Sequence, residues 1–195
     1  MDLVPIVFSS GWASGMNAYL VVLVLGLADR LGSFGQIPDV LGSAPVLIAA
    51  AVLYAVEFVT DKIPYVDSTW DAISTVIRPA IAAVLAVLAS GDADSLQQAA
   101  YAVLGGGTAL ASHATKSGAR LALNTSPEPV TNILASLTED GLALGVVLVL
   151  LHHPWVALAI SAVLLVLGLV LLVIVMRYVR RGWRRWKGLP PLAVR

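Results

Sequence analysis

Long apolar stretches alternate with short polar connectors along the chain, at lengths that predict helices throughout. A bilayer core takes about 20 apolar residues per spanning helix. By that rule the clearest span is residues 154–176, which carries no charge. Five more helices are expected at about residues 4–31, 45–60, 70–89, 95–123 and 130–151. Gly11, Gly15 and Asn17 weaken the first half of the first helix. Gly105-Gly106-Gly107 interrupts the fourth, which then carries His113, Lys116 and Arg120. Arg78-Pro79 falls early in the third helix, and Glu139-Asp140 near the middle of the fifth. The expected fold is all-α, a polytopic transmembrane helical bundle of about six helices. Five or seven spans follow if the first and fourth helices are broken or re-entrant.

Composition strengthens the membrane reading. The 195 residues are 58% hydrophobic and 12% charged, with a mean hydropathy of +0.88; a soluble domain carries about 25% charged residues. Net charge is zero, but seven of the twelve Lys and Arg residues lie at or beyond Arg177. The division expected is a single transmembrane domain over residues 1–176 and a basic cytoplasmic tail over 177–195. Basic residues confined to a tail fit a membrane surface better than a nucleic acid. The start of the chain lacks the positive region of a signal peptide, so the first apolar stretch is expected to be retained.

The distribution of Lys and Arg also predicts orientation. The Arg-rich tail places the C-terminus in the cytoplasm. With six spans the N-terminus is cytoplasmic too. The connectors around residues 61–71 and 116–129, which hold most other bases, then face inward together.

Those two connectors resemble each other. Thr60-Asp61-Lys62 and Thr115-Lys116 each close an apolar segment, each connector contains proline, and each opens a helix with residues suited to capping. This layout is that of internally duplicated helix–loop–helix units. Pairing Ala13-Ser14-Gly15 with Ala111-Ser112-His113 instead gives three-helix units, which would be inverted in the membrane.

Candidate chemistry gathers at the connectors. Glu57 and Asp61 stand four apart on one helical face, where neighbouring carboxylates draw in a proton or cation. The plain alternative leaves Asp61 and Lys62 in headgroup water, with Glu57 paired to Lys116, Arg120 or Arg78. Asp67 and Asp71 flank a helix start, where Asp67 or Ser68 would cap and Asp71 would complement the dipole. Arg78 stays charged at any pH and needs Glu57, Glu139 or Asp140, or else binds an anion. His113, Lys116 and Arg120 form one stripe that would hold a phosphate or lipid headgroup, or snorkel outward. Asn124 and Glu128 belong to a turn, with Glu128 held between two prolines. Glu139-Asp140 cannot both face lipid.

Other chemistries are absent from the sequence. Without cysteine there is no disulfide or thiolate site. His152-His153 lacks a third zinc ligand, the glycine run lacks the Lys-Ser/Thr of a phosphate loop and suits close helix packing or a break in the helix, and no hydrolase or zinc-protease motif occurs. No catalytic residue, cofactor or metal is expected.

The segments Ser14-Gly15-Met16-Asn17-Ala18-Tyr19, Glu57 through Asp71, and Asn124-Thr125-Ser126-Pro127-Glu128-Pro129 resemble a family of small bacterial multi-pass membrane proteins, known as domain of unknown function 4126. The resemblance covers the chain up to about His153. It implies membrane residence and one shared domain, and brings no activity with it. The function expected from the residues is a small transporter or channel, a homo-oligomer with an ion or solute site built from the two connectors. The alternatives are a lipid-headgroup enzyme or translocase, and a structural assembly protein held by ion pairs. The bilayer and a small ion, solute or headgroup are the partners expected.

Overall fold

The computed structural model describes residues 3–32, 37–124 and 128–187. The described residues form six α-helices: α1 (Leu3–Arg30), α2 (Ala44–Thr60), α3 (Val66–Ser90), α4 (Ser95–Leu123), α5 (Pro129–His152) and α6 (Pro154–Trp186), with a short 3-10 turn at Asp39–Gly42 before α2. The all-helical bundle expected from the apolar periodicity is what forms. Thr125, Ser126 and Pro127 of the second connector, and residues 188–195 of the tail, lie outside the described residues.

Four helices, α1, α3, α5 and α6, are long and apolar enough to cross a membrane. The most apolar stretch of α6 is only 6% buried within the protein, that of α1 78%. A helix that apolar with almost no protein around it has lipid as its solvent. The chain is therefore an integral membrane protein, with α1 inside the bundle and α6 at its edge. The 29-residue α4 is as long as the spans but carries buried polar groups along one face. It can do so because α1, α3 and α6 pack around it. At 17 residues α2 is shorter.

Small residues bring the backbones together. A Cβ on Gly11 would strike the carbonyl of Gly105, and one on Gly15 would strike Ser112 Oγ and the Ala109 carbonyl. Gly105 and Gly106 in turn lie against Ala82, Ala83, Ala86 and Pro79 of α3. The glycine run is thus a packing surface within a continuous helix, the close-approach use common among membrane helices. Of the two readings of the glycine run, close packing and a break, the first is what forms.

The break in the first helix does. Asn17 has φ −155° and ψ 97°, extended backbone between two helical halves. Its Oδ1 accepts from the Leu20 N–H at 3.0 Å, capping the second half. The carbonyls of Gly15 and Met16 are thereby left without their usual helical donors.

Packing fixes the directions. Up to the break α1 runs parallel to α4, with Gly11 beside Gly105 and Met16 beside Lys116. α6 runs the same way, with Ser161 beside Ser9, Gly168 beside Thr115 and Leu172 beside Gly118. α3 and α5 are antiparallel to these: Ala82 lies beside Gly105 and Asp67 beside Arg120, while Asn132 meets Arg120 and Asp140 meets Asn17. The second half of α1 and α2 make a return trip. Gly26 packs on Leu47 near the start of α2, and Glu57 near its end is back beside Arg78, which also reaches Gly15. Leu3 and Trp186 consequently lie at opposite ends of the bundle. Six alternating spans would have put them at the same end; the return trip adds one reversal.

Two element ends also differ from expectation. α3 begins at Val66 rather than near residue 70, entered through Tyr65 at φ 69°. α6 continues unbroken past Met176 to Trp186, so residues 177–186 extend the last helix.

Candidate functional site

Where α1 breaks, the polar faces of α2, α3, α4 and α5 converge. Among the described residues, six carboxylates (Glu57, Asp61, Asp67, Asp71, Glu139 and Asp140) and three bases (Arg78, Lys116 and Arg120) are buried there. Helical spacing aims them inward. Asp67, Asp71, Ser74 and Arg78 occupy the buried face of α3, and His113, Lys116 and Arg120 that of α4. Twelve of the thirteen residues proposed from the sequence stand in or at the rim of this cluster. Glu128 is exposed and stands apart, its carbonyl accepting from Thr131 Oγ1 at 2.8 Å.

Each base has a principal acid and further oxygens. Arg78 Nη2 is paired with Glu57 Oε1 and lies 3.3 Å from Asp71 Oδ1, while Nη1 donates to the Gly15 carbonyl at 3.0 Å. Lys116 Nζ lies 2.7 Å from Asp61 Oδ2, 3.0 Å from the Met16 carbonyl, 3.6 Å from Glu139 Oε2 and 3.7 Å from Glu57 Oε1. Arg120 grips Glu139 and donates to the Asp61 carbonyl at 2.6 Å. Neither Lys116 nor Arg120 snorkels outward, and both already face carboxylates where a headgroup phosphate would have to bind.

The remaining acids are compensated less. Asp67 accepts from the Ser68 N–H at 2.6 Å and from Asn124 Nδ2 at 2.9 Å, with Arg120 3.5 Å away. It points into the cluster, so it does not cap α3. Asp140 accepts from Asn17 Nδ2 at 2.9 Å. Asp71 has no hydrogen-bond donor on either side-chain oxygen, and Glu57 Oε2, Asp61 Oδ1 and Asp140 Oδ2 also lack one.

His113 is held neutral by its partners. Nδ1 lies 2.8 Å from Arg78 Nη1, which can only donate, so Nδ1 must accept. Its proton is therefore on Nε2, which donates to the Asp71 carbonyl at 3.0 Å. A second proton would set two donors face to face.

Asp61 and Lys62 lie just past the end of α2. Burial pushes the Asp61 carboxyl up, but the Lys116 charge and hydrogen bond, with Arg120 and Arg78 behind, hold it below its ordinary 3.8. Asp61 is 2% exposed, so the reading that leaves it in headgroup water does not hold. Lys62 is half-buried, donating to the Phe58 carbonyl at 2.7 Å with its ammonium over the Phe58 ring. Burial lowers its pKa below 10.5, against the pull of Asp140 and Asp61.

The two connectors meet. Asn124 Nδ2 reaches both Asp67 at 2.9 Å and Ser68 Oγ at 2.8 Å. Several participants went unread in the sequence: the Gly15 and Met16 carbonyls, Ser112, which donates to the Trp12 carbonyl at 2.8 Å, and Asn132, whose Oδ1 accepts from Arg120 at 3.3 Å. Asn17 was read as weakening the first helix; its side chain's hold on Asp140 was not foreseen. Among the described residues no group of three or more His, Cys, Asp or Glu side chains is placed to hold a metal ion.

No curated protein and no solved structure matches the chain. Residues 4–174 match the family described as Domain of unknown function (DUF4126), a stretch that takes in the broken helix, both connectors and every member of the charge cluster, and the chain belongs to that family.

Proposed function

We propose that the protein is a small transporter or channel-like protein that carries a proton or small cation through the carboxylate cluster beside the break in α1. The observation supporting this reading is the imbalance, among the described residues, of six buried carboxylates against three buried bases. Three pairs, Arg78–Glu57, Lys116–Asp61 and Arg120–Glu139, account for half of the acids. An uncompensated buried charge costs several kcal/mol even after relaxation. Asp71 and Asp67 share Arg78 and Arg120 with closer acids, at 3.3 and 3.5 Å, and Asp140 is held by Asn17, so three acids remain beyond one-to-one pairing and call for protons, a cation or access to water. Intramembrane ionisable residues in excess of their partners mark ion and proton paths.

In this reading the protein sits in the bacterial inner membrane with the Arg-rich end of α6 in the cytoplasm. The start of α1 then lies on the opposite side, because α1 and α6 run parallel. The connectors and the Asp67–Asn124 contact form the cytoplasmic floor of the site.

The test is flux in proteoliposomes loaded with a pH-sensitive dye, for wild type, Glu57→Gln and Asp71→Asn. Wild type should move protons or alkali cations, and both variants should slow that movement at least tenfold while remaining folded. Wild-type liposomes no more permeable than empty ones would refute the reading, as would full activity in both variants.

A further inference from the structure

Past Met176 the last helix changes character without a break: residues 154–176 carry no charge, and the same helix runs on through Arg177, Arg180 and Arg181 to Trp186. We propose that Arg177, Arg180 and Arg181 form a docking surface for anionic phospholipid headgroups, in the leaflet where α6 leaves the bilayer. The inference stands on the membrane-spanning fold and is independent of the transport reading.

Helical register decides which way these arginines point. At about 100° per residue, Ala157, Ser161, Gly168 and Leu172 lie along one side of α6. That side meets the bundle: Ala157 is buried, Ser161 lies beside Ser9, Gly168 beside Thr115 and Leu172 beside Gly118. Arg177, Arg180 and Arg181, all exposed, fall within about 100° of one another on the opposite side. They continue the line of Val173, one turn earlier and also exposed. The stripe therefore looks away from the protein, toward lipid.

Depth decides what it meets there. Residues 154–176 extend about 33 Å at 1.5 Å per residue, enough to cross a hydrocarbon core of about 30 Å. Arg177 is the first residue beyond. From Arg177 to Arg181 the helix rises about 6 Å more, close to the thickness of one headgroup layer, about 5–8 Å. Tyr178 and Trp183, both exposed, stand on either side of the stripe, as amphipathic rings do at a membrane–water boundary.

Charge supplies the selectivity. The buried bases Arg78, Lys116 and Arg120 each have a carboxylate partner. Among the described residues Arg177, Arg180 and Arg181 have none, and the sequence holds no Asp or Glu after Asp140. Guanidinium groups at headgroup depth have lipid phosphates for partners, with which they make two-point charge-assisted bonds. A zwitterionic lipid offers the same phosphate with its own cation beside it. Each basic residue at an anionic surface is worth about fivefold in binding, so the three together select an anionic headgroup even where it is the minority lipid.

The experiment puts a fluorophore on a single cysteine in the full chain, which has no native cysteine. One position is Val173, beneath the stripe; the other is Val156, exposed at the far end of α6. Each protein is reconstituted in phosphatidylcholine vesicles containing a minor fraction of phosphatidylglycerol or phosphatidylcholine with brominated chains. In wild type the brominated phosphatidylglycerol should quench the Val173 probe at least about threefold more than the brominated phosphatidylcholine, and the two should quench the Val156 probe equally. Raising the salt should shrink the difference at Val173. The triple variant Arg177→Gln, Arg180→Gln, Arg181→Gln should abolish it, whereas the triple lysine variant at the same positions, which keeps the charge, should retain most of it. Equal quenching by the two lipids at Val173 in wild type would overturn the inference, as would a preference that the glutamine variant keeps or the lysine variant loses entirely. If the glutamine variant does not insert, salt decides, since a preference insensitive to it does not come from the arginines' charge. Inorganic phosphate or duplex DNA, present on both sides at constant ionic strength, should leave the preference intact. Its loss to either would make the stripe a site for a soluble polyanion and end the lipid assignment.

Discussion

Arg120 and Glu139 form a two-point ion pair: Nη2 lies 2.5 Å from Oε2, and Nε lies 3.1 and 3.2 Å from the two carboxylate oxygens. A two-point grip of this kind adds geometric specificity to charge. The partners are not equivalent, because Arg120 also donates to the Asp61 carbonyl and to Asn132 Oδ1. Breaking a buried pair from one side costs about 3–5 kcal/mol, since the other charge is left uncompensated. Arg120→Gln is therefore expected to destabilise more than Glu139→Gln. The double variant should be milder than the sum by about 0.5–3 kcal/mol. Chemical denaturation in mixed micelles measures all three, and additive effects would show that the pair is not a unit.

The crossing of α1 and α4 predicts opposite outcomes for two glycines. A methyl on Gly15 meets Ser112 Oγ and the Ala109 backbone, whereas one on Gly107 meets nothing within 4 Å. Gly15→Ala should destabilise by about 1–3 kcal/mol through overpacking. Gly107→Ala should be neutral, or gain up to about 1 kcal/mol in helix propensity. Adding Ser112→Ala should not rescue Gly15→Ala, because the Ala109 carbonyl is backbone and stays. Thermal midpoints of the purified variants check the order.

Asp61 gives the stability a pH signature. Its carboxyl is held below 3.8 in the folded protein, chiefly by Lys116 working against burial. The unfolded chain thus binds the proton more readily. Stability from this group is fully present above pH 3.8 and is lost as pH falls through the lower folded value. Asp61→Asn should lower stability at neutral pH and flatten its fall in acid. Unfolding midpoints across that range test it, and an unchanged acid slope in Asp61→Asn would contradict it.

The six helices were readable because each is long and bounded by proline, glycine or a polar cluster, and apolar runs of that length fit little else. The site was readable for a related reason: Glu57, Arg78, Lys116, Arg120 and Glu139 are charges that helical spacing cannot direct to lipid. Their partners were less accessible, since pairing Glu57 with Arg78 and Glu139 with Arg120 depends on how α2 and α5 dock. The carbonyls of Gly15 and Met16 carry no side-chain signature at all. The running direction of α1 was less accessible, because hydropathy counts segments and does not say which way each half runs once Asn17 divides the helix. The glycine run had two physical readings, a break or a close approach. Only the neighbouring backbones of α1 and α3 decide between them.

The meeting of the two connectors is open to direct test, since the chain has no native cysteine. Asn124 Nδ2 lies 2.8 Å from Ser68 Oγ. A Ser68→Cys/Asn124→Cys protein should form an intramolecular cross-link rapidly with a short bis-thiol reagent. A pair at Asp92 and Asn124, on opposite ends of α4, should not. Equal cross-linking of both pairs would mean that the connectors are not held together.

The return trip through α2 makes the last prediction, one that separates this fold from six alternating spans. Because α1 and α6 run parallel, residues near the start of α1, the α3–α4 turn and the α5–α6 turn share one end of the bundle. The α4–α5 connector and the end of α6 share the other. Single cysteines at the exposed positions Val4, Asp92 and His153 should therefore react with a membrane-impermeant thiol reagent from one side. Cysteines at Glu128 and Arg181, also exposed, should react from the other. Six alternating spans would move Val4 to the side of Glu128 and Arg181 and leave the other four where they are. The Val4 cysteine in intact cells is thus the deciding measurement: labelling together with Asp92 supports the broken α1 and its return, and labelling together with Glu128 would contradict the parallel packing of Ser9 on Ser161 and Met16 on Lys116.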